Sequence, residues 1–79
     1  MLTVRYFAAA RAAAGVSEET VAAHTLTECL ALVSARHGAG LVRVLAAASF
    51  LVDGIAAGDR EQPLAENAVV DILPPFAGG

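Results

Sequence analysis

The stretch Ala68-Val69-Val70-Asp71-Ile72-Leu73-Pro74-Pro75-Phe76-Ala77-Gly78-Gly79 decides how the rest of the chain is read. Residues 68–73 have the β-branched, apolar composition of a strand. They run directly into two prolines, which have no N–H to give to a sheet ladder and hold the backbone in an extended polyproline-type path. The strand is therefore expected to end at Leu73, and residues 74–79 to leave the sheet as a stiff arm. At about 3.1 Å per residue, six residues reach on the order of 15 to 20 Å, with the two glycines looser than the prolines. The arm closes on the carboxylate of Gly79, and neither Gly78 nor Gly79 has a side chain to obstruct entry into another protein's active site. On this reading residues 1–73 are a folded domain that carries the arm, and the Gly79 carboxylate is the working group.

Working back from the arm, Glu66-Asn67 turns the chain into the last strand. The polar residues 59–67, with Pro63-Leu64 in their middle, read as a loop that tucks Leu64 into the core. Ser49-Phe50-Leu51-Val52 reads as a strand, Asp53-Gly54 as a two-residue hairpin turn in which both positions tolerate positive φ, and residues 55–58 as its antiparallel return. Upstream, Thr25-Leu26-Thr27-Glu28 fits a capping box and predicts a helix start. Leu26, Leu30, Val33 and His37 follow at helical spacing, with Cys29 beside them, and His37-Gly38 supplies the terminator. Residues 41–48 are a second helical candidate with poorly marked ends.

At the N-terminal end, Leu2, Val4 and Tyr6 alternate with Thr3, Arg5 and Phe7, which predicts a strand with apolar groups on both faces, inside the sheet rather than at its edge. Residues 8–14 are alanines broken only by Arg11 and stopped by Gly15, the composition of a short helical turn with a glycine C-cap. Residues 16–23 read as a second strand, exposed on one side, that forms a hairpin with the first. With the last strand inserted parallel to the first, the chain is α+β: a β-grasp, or ubiquitin-like, roll in which a mixed sheet carries one main helix packed across it.

Composition narrows the function. A chain of 79 residues is one small domain with a core only marginally sufficient. Its hydrophobic fraction of 57% is inflated by alanine, and its longest apolar runs fall far short of the ~18 to 20 residues that span a bilayer. The opening Met1-Leu2-Thr3-Val4-Arg5 reads as a strand and not as a signal peptide, so no membrane association and a cytoplasmic location are expected. One cysteine and two histidines provide neither a disulfide framework nor a usual four-ligand zinc site, and no metal is expected. A net charge of −3 with five scattered arginines argues against nucleic acid as a partner. The absence of lysine removes Schiff-base chemistry, a phosphate-loop lysine and any internal ε-amine acceptor. Cys29 sits on the apolar stripe of a helix and reads as a core residue with no reason for a lowered pKa. His24 reads as a loop residue and His37 as a helix-end residue. No acid–base pair or phosphate loop is visible, so the chain is not expected to carry catalytic machinery of its own.

Tyr6-Phe7-Ala8-Ala9-Ala10-Arg11 followed by Gly15, the Val52-Asp53-Gly54 turn, Pro63-Leu64, and Leu73-Pro74-Pro75-Phe76-Ala77-Gly78-Gly79 together resemble the MoaD/ThiS sulfur carriers over the whole chain. The aromatic-alanine-x-x-arginine start and the double proline before the double glycine are more similar to the MoaD branch, the small subunit of molybdopterin synthase. Ala12, Asp53-Gly54 and Glu66-Asn67-Ala68 depart from the residues usual in that branch. The resemblance implies that a ubiquitin-activating-like adenylyltransferase uses ATP and magnesium to adenylate Gly79. Sulfur from a donor protein then displaces AMP to leave a thiocarboxylate. It implies further that the loaded arm enters the large catalytic subunit of the synthase, in a heterotetramer, and gives sulfur to cyclic pyranopterin monophosphate, with no cofactor bound to the carrier itself. Carriers serving thiamin, cysteine or tRNA thiolation, and ubiquitin-like protein modifiers, share the fold and the Gly-Gly end. Residues 73–78 would then contact the partner, with Phe76 as an anchor. Phe7 and Ile55 face either the partner or the core, and Arg11 either grips the partner or caps its own short helix.

Overall fold

The computed structural model describes residues 1–75. The chain runs β1 (Leu2–Tyr6), α1 (Ala8–Ala14), β2 (Glu18–Val21), α2 (Leu26–His37), α3 (Ala39–Ala47), β3 (Ser49–Val52), β4 (Ile55–Ala56) and β5 (Val69–Leu73). The five strands form one mixed sheet in the order β2-β1-β5-β3-β4. β5 is its centre, parallel to β1 with Thr3 opposite Val69 and Tyr6 opposite Ile72, and antiparallel to β3 with Ser49 opposite Leu73. This is the expected β-grasp, with its first and last strands adjacent.

The alternation in β1 and β5 determines which face is covered. Leu2, Val4 and Tyr6 from β1 and Val70 and Ile72 from β5 are buried together with Val21, Leu26, Cys29, Val33, Leu41 and Phe50 in one core. Fully burying a side chain such as Leu or Val is worth about 1.5 to 3 kcal/mol, so this small set accounts for much of what a chain this size can gather. Besides the main helix α2, the short helical segment expected over 8–14 and the helical candidate over 41–48 are both helices. Residues 39–47 form a full helix whose Leu41 is completely buried, and α1 supplies the buried Ala10. One fully buried residue anchors each of the two to the core, Leu41 in α3 and Ala10 in α1.

Local signals explain most boundaries. Thr25 Oγ1 accepts from the Glu28 N–H at 3.1 Å, whereas the Glu28 carboxylate reaches back to the N–H of His24, one residue beyond the usual capping-box target. Gly15 ends α1 in the left-handed region at φ 78°. Asp53 and Gly54, at φ 50° and 83°, make the tight turn between β3 and β4. The return strand β4 is only two residues long, shorter than the 55–58 expected. Leu64 packs against the core as anticipated, and its N–H donates to the His24 carbonyl at 2.7 Å.

A polar brace ties β1 and β2 to the end of α2. Tyr6 Oη donates to Glu19 Oε2 at 2.5 Å, Arg36 Nη1 donates to Glu19 Oε1 at 2.6 Å, and His37 Nε2 hydrogen-bonds Glu19 Oε2. The Glu19 side chain is only 14% exposed. Burial by itself would push its carboxyl up, but hydrogen bonds from Tyr6, Arg36 and His37 outweigh that and hold it at about 2, below the ordinary 4.5. Burial, reinforced by Glu19, pushes the Tyr6 hydroxyl up, so it remains a donor.

Because the folded value of Glu19 is depressed, its stabilisation is present above about pH 4.5 and is lost as pH falls toward 2. Glu19→Gln is expected to cost about 1 to 3 kcal/mol at neutral pH and to flatten the loss of stability between those two pH values. Denaturant melts of both proteins across the acid range check this; parallel pH profiles would contradict it.

Candidate functional site

Three segments meet where β5 leaves the sheet. The register places the end of β1 and the start of β3 on either side of Ile72 and Leu73. The β1–β5 ladder gains a last rung from the Phe7 N–H to the Ile72 carbonyl at 3.3 Å. The chain then turns sharply into α1: the Phe7 carbonyl accepts from the N–H groups of Ala10, at 2.9 Å, and Arg11, at 3.4 Å. Ala8 makes this corner at φ 48°, in the left-handed region that a residue with a Cβ enters only at a cost.

This corner borders an apolar groove of about 490 Å³. Phe7, Ala8 and Ala9 line it from the β1–α1 corner, Ser49 from β3, and Leu73, Pro74 and Pro75 from the outgoing chain. Phe7 is 40% exposed, a large apolar ring left partly open to water. On the sheet face away from the core, the Arg5 guanidinium donates to both carboxylate oxygens of Asp71, at 2.6 and 2.9 Å. Asp71 is 6% exposed, and these hydrogen bonds raise the pKa of Arg5 further above its ordinary value. The same guanidinium lies 5.8 Å from the Phe7 ring centroid, a cation–π distance. Arg5 thus links β1, β5 and the groove's aromatic wall.

Of the residues singled out from sequence, Phe7, Leu73, Pro74 and Pro75 come together in this groove. Ile55 does not join them. It is 73% exposed and borders a separate hollow of about 280 Å³ with Val52, Leu26 and Leu64, beside β4. The question left open for Phe7 and Ile55 is answered the same way for both: neither belongs to the core. Arg11 is exposed on α1, outside the groove lining, and its carbonyl accepts the Gly15 N–H that closes the helix. Phe76, Ala77, Gly78 and Gly79 lie outside the described residues.

Sequence reading missed Ala8, Ala9 and Ser49 as groove residues. Ala8 and Ala9 read only as helix formers, while Ser49 becomes legible once the register sets it opposite Leu73. Cys29 is completely buried, and burial, with Glu19 nearby, pushes its thiol up to about 11, so it is the inert core residue expected. His37 differs from its reading as an isolated helix end, because β2 brings Glu19 to it from 18 residues away. Among the described residues, no three histidine, cysteine, aspartate or glutamate side chains are placed to hold a metal ion, and no helix is long and apolar enough to cross a membrane.

The fold and the site define a ubiquitin-like β-grasp domain whose central strand delivers the C-terminal segment past an apolar corner. The model of the ThiS family matches residues 4–79, and the chain belongs to that family of ubiquitin-like sulfur carriers. Among solved structures, a putative molybdopterin converting factor subunit 1 from Pyrococcus furiosus is 21% identical, with 95% of this chain and 97% of that chain covered and a TM-score of 0.78. Subunits 1 and 2 of molybdopterin-converting factor from Helicobacter pylori, solved as a complex, give 23% identity, coverage of 99% and 97%, and a TM-score of 0.73. SAMP1 from Haloferax volcanii gives 23% identity, coverage of 99% and 98%, and a TM-score of 0.80. At these identities the likeness establishes the fold. No curated protein sequence matches the chain.

The strained corner yields a test of the site's construction. Ala8→Gly is expected to raise stability by about 1 kcal/mol by relieving the positive φ, and Ala8→Val to lower it by at least about 1 kcal/mol. Chemical denaturation checks both, and equal stability of the three proteins would show that the corner carries no strain.

Proposed function

We propose that the protein is the small, sulfur-carrying subunit of a molybdopterin synthase, acting in the cytoplasm. The observation that supports this best is the root of the arm. The segment bearing the double glycine is continuous with the central strand of a ThiS-family fold, and it leaves beside an exposed aromatic corner suited to a partner's apolar surface. In this reading an adenylyltransferase spends ATP, with magnesium, to form an acyl-adenylate at Gly79. The outer sulfur of a donor protein's persulfide adds to that carbonyl and AMP leaves with the bonding electron pair, giving an acyl disulfide; a second thiol of the activating machinery then attacks the donor's cysteine sulfur, forming a protein disulfide and releasing the thiocarboxylate with the electron pair of the broken S–S bond. A free carboxylate is a poor acyl donor, and the adenylate supplies the leaving group it lacks.

The residues of this chain bind and position. Leu73, Pro74 and Pro75 set the direction of the arm, Phe7 offers apolar area to the large subunit, and Gly78 and Gly79 pass through a narrow entrance. The acceptor is cyclic pyranopterin monophosphate, held by the large subunit. The Helicobacter pylori structure, in which subunits 1 and 2 of the converting factor occur together, supports a partner of that kind. The fold likeness to SAMP1 supports a second reading, in which the same Gly79 acyl group ends as an amide on another protein.

Mass spectrometry of the chain recovered from cells separates the two. Exchange of one oxygen for sulfur at the C-terminus is the expected result, and it should vanish when Gly79 is deleted, together with sulfur transfer to the pterin in a reconstituted assay. Lysines of other proteins that carry residues 61–79 of this chain as an amide-linked remnant after cleavage at Arg60, without thiocarboxylate, would replace the carrier reading with the modifier reading.

A further inference from the structure

The turn between β3 and β4 holds the chain's only aspartate–glycine step, because Asp59 is followed by arginine and Asp71 by isoleucine. Such a step is chemically weak: glycine has no side chain to shield its nitrogen, and the aspartate carboxyl carbon is a short rotation away from it. Asp53 and Gly54 are both exposed, and a Cβ built on Gly54 would meet no atom within 4 Å. Among the described residues the Gly54 N–H donates to no backbone group. The Asp53 carboxylate, by contrast, is engaged. The β3–β5 ladder runs as far as Val52 opposite Val70, and Asp53 adds a further rung through two contacts with Val69. Its N–H donates to the Val69 carbonyl at 2.8 Å, and its Oδ1 accepts from the Val69 N–H at 2.9 Å. A side-chain oxygen thus replaces the backbone acceptor that the turn takes away, and half-buried Val69 keeps its N–H paired.

We infer that Asp53–Gly54 is a site of spontaneous conversion to isoaspartate, restrained by this clasp on Val69. In the reaction the Gly54 nitrogen attacks the Asp53 carboxyl carbon Cγ. The N–Cγ bond forms, and the amide proton and the carboxyl hydroxyl leave as water, closing a succinimide ring. Water then adds to the main-chain carbonyl carbon of residue 53, and its bond to the Gly54 nitrogen breaks with the electron pair and a proton going to nitrogen. Nothing is oxidised or reduced and the mass is unchanged, but the main chain now runs through Cβ and Cγ and the old carbonyl carbon becomes a side carboxylate. While Oδ1 is held by Val69, Cγ is fixed against β5, so the ring closes only in molecules whose hairpin tip has opened. The product cannot remake the clasp, because the turn is longer by a methylene and the carboxylate has moved. The Val69 N–H then loses its acceptor, and β5 is loosened at the end away from the arm. The site is independent of the proposed carrier function.

Full-length protein aged for weeks at neutral pH tests this, with isoaspartate located by electron-transfer fragmentation, which separates the two isomers at equal mass. Isoaspartate is expected at residue 53, accumulating several-fold faster in the urea-unfolded chain than in the folded protein. Val69→Pro removes the donated N–H at the first residue of β5, where proline is tolerated, and should bring the folded rate close to the unfolded one. In the modified fraction of the unmutated protein, the Val69 amide should exchange with deuterium several-fold faster than in the unmodified fraction, a readout that holds even where Val69→Pro fails to fold. Equal rates in folded and unfolded chains, no isoaspartate at residue 53 in the unfolded chain, a folded Val69→Pro that ages as slowly as the unmutated protein, or unchanged Val69 exchange after modification would each overturn the inference. None of these measurements needs sulfur, ATP or a partner, so their failure would leave the proposed function standing.

Discussion

The parallel pairing of β1 with β5 is the constraint on which the rest of the structure depends. Two segments nearly the length of the chain apart must find each other, with Val4 beside Val70 and Tyr6 beside Ile72, before either face of the sheet is complete. Closing so long a loop has an entropic cost that local structure cannot offset, so the contacts rewarding it must be good. They are of two kinds. On the covered face the interlocked apolar residues are excluded from water, and on the other face Arg5 holds Asp71 through two hydrogen bonds. A carboxylate as buried as Asp71 would be expensive alone; the fork of the guanidinium satisfies both its oxygens and fixes which residue of β1 lies beside it. A slip of one residue would break that pair and turn Leu2, Val4 and Tyr6 outward.

The rest of the sheet is secured with economical means. β2 is an edge strand of four residues, mostly exposed, and it begins with two glutamates that discourage pairing with another chain. One of them, Glu19, is turned to structural use by Tyr6, Arg36 and His37, so the edge is held by polar contacts where the small core has no further apolar area to give. At the opposite edge β4 has only two residues, and the loop that follows covers the core with Leu64 while Arg60 lies 5.0 Å from the ring of Phe50.

The sequence made the fold legible wherever a residue type has one dominant reason for its position. Pro74 ends β5, Gly15 ends α1, Asp53-Gly54 forms the hairpin turn, and Thr25 caps α2 at the predicted place. It was silent where many residues would serve. Alanine supports a helix without marking its ends, so the sequence alone leaves α3 a candidate and α1 a short helical turn, and the burial of Leu41 and Ala10 in the core fixes both. The site divides in the same way. Phe7 and residues 73–75 could be named from the motif, but Ala8, Ala9 and Ser49 enter the groove only through the sheet's register. Glu19 and His37 meet through a strand–helix contact that no spacing rule anticipates. For Phe7 and Ile55 the sequence leaves partner and core equally open; the topology sets them at different hollows.

In the proposed function, what a carrier asks of its fold is a difference in rigidity along one short segment. The base of the arm must be fixed, or a partner that recognises the domain gains nothing in placing the acyl group. Its end must bear no bulk, because the same carboxyl is to be presented to an adenylating site, a sulfur donor and an acceptor in turn. Anchoring the arm to a central strand, flanked on both sides and crossed by the Arg5–Asp71 pair, meets the first requirement more firmly than an edge strand would. Pro74 and Pro75 extend that order by two residues without needing hydrogen bonds, since their φ is limited in the unfolded chain as well. Glycine meets the second requirement. Partners of such a domain would be selected at the apolar corner around Phe7, because a net charge of −3 spread over 79 residues is too small to specify one docking face among many.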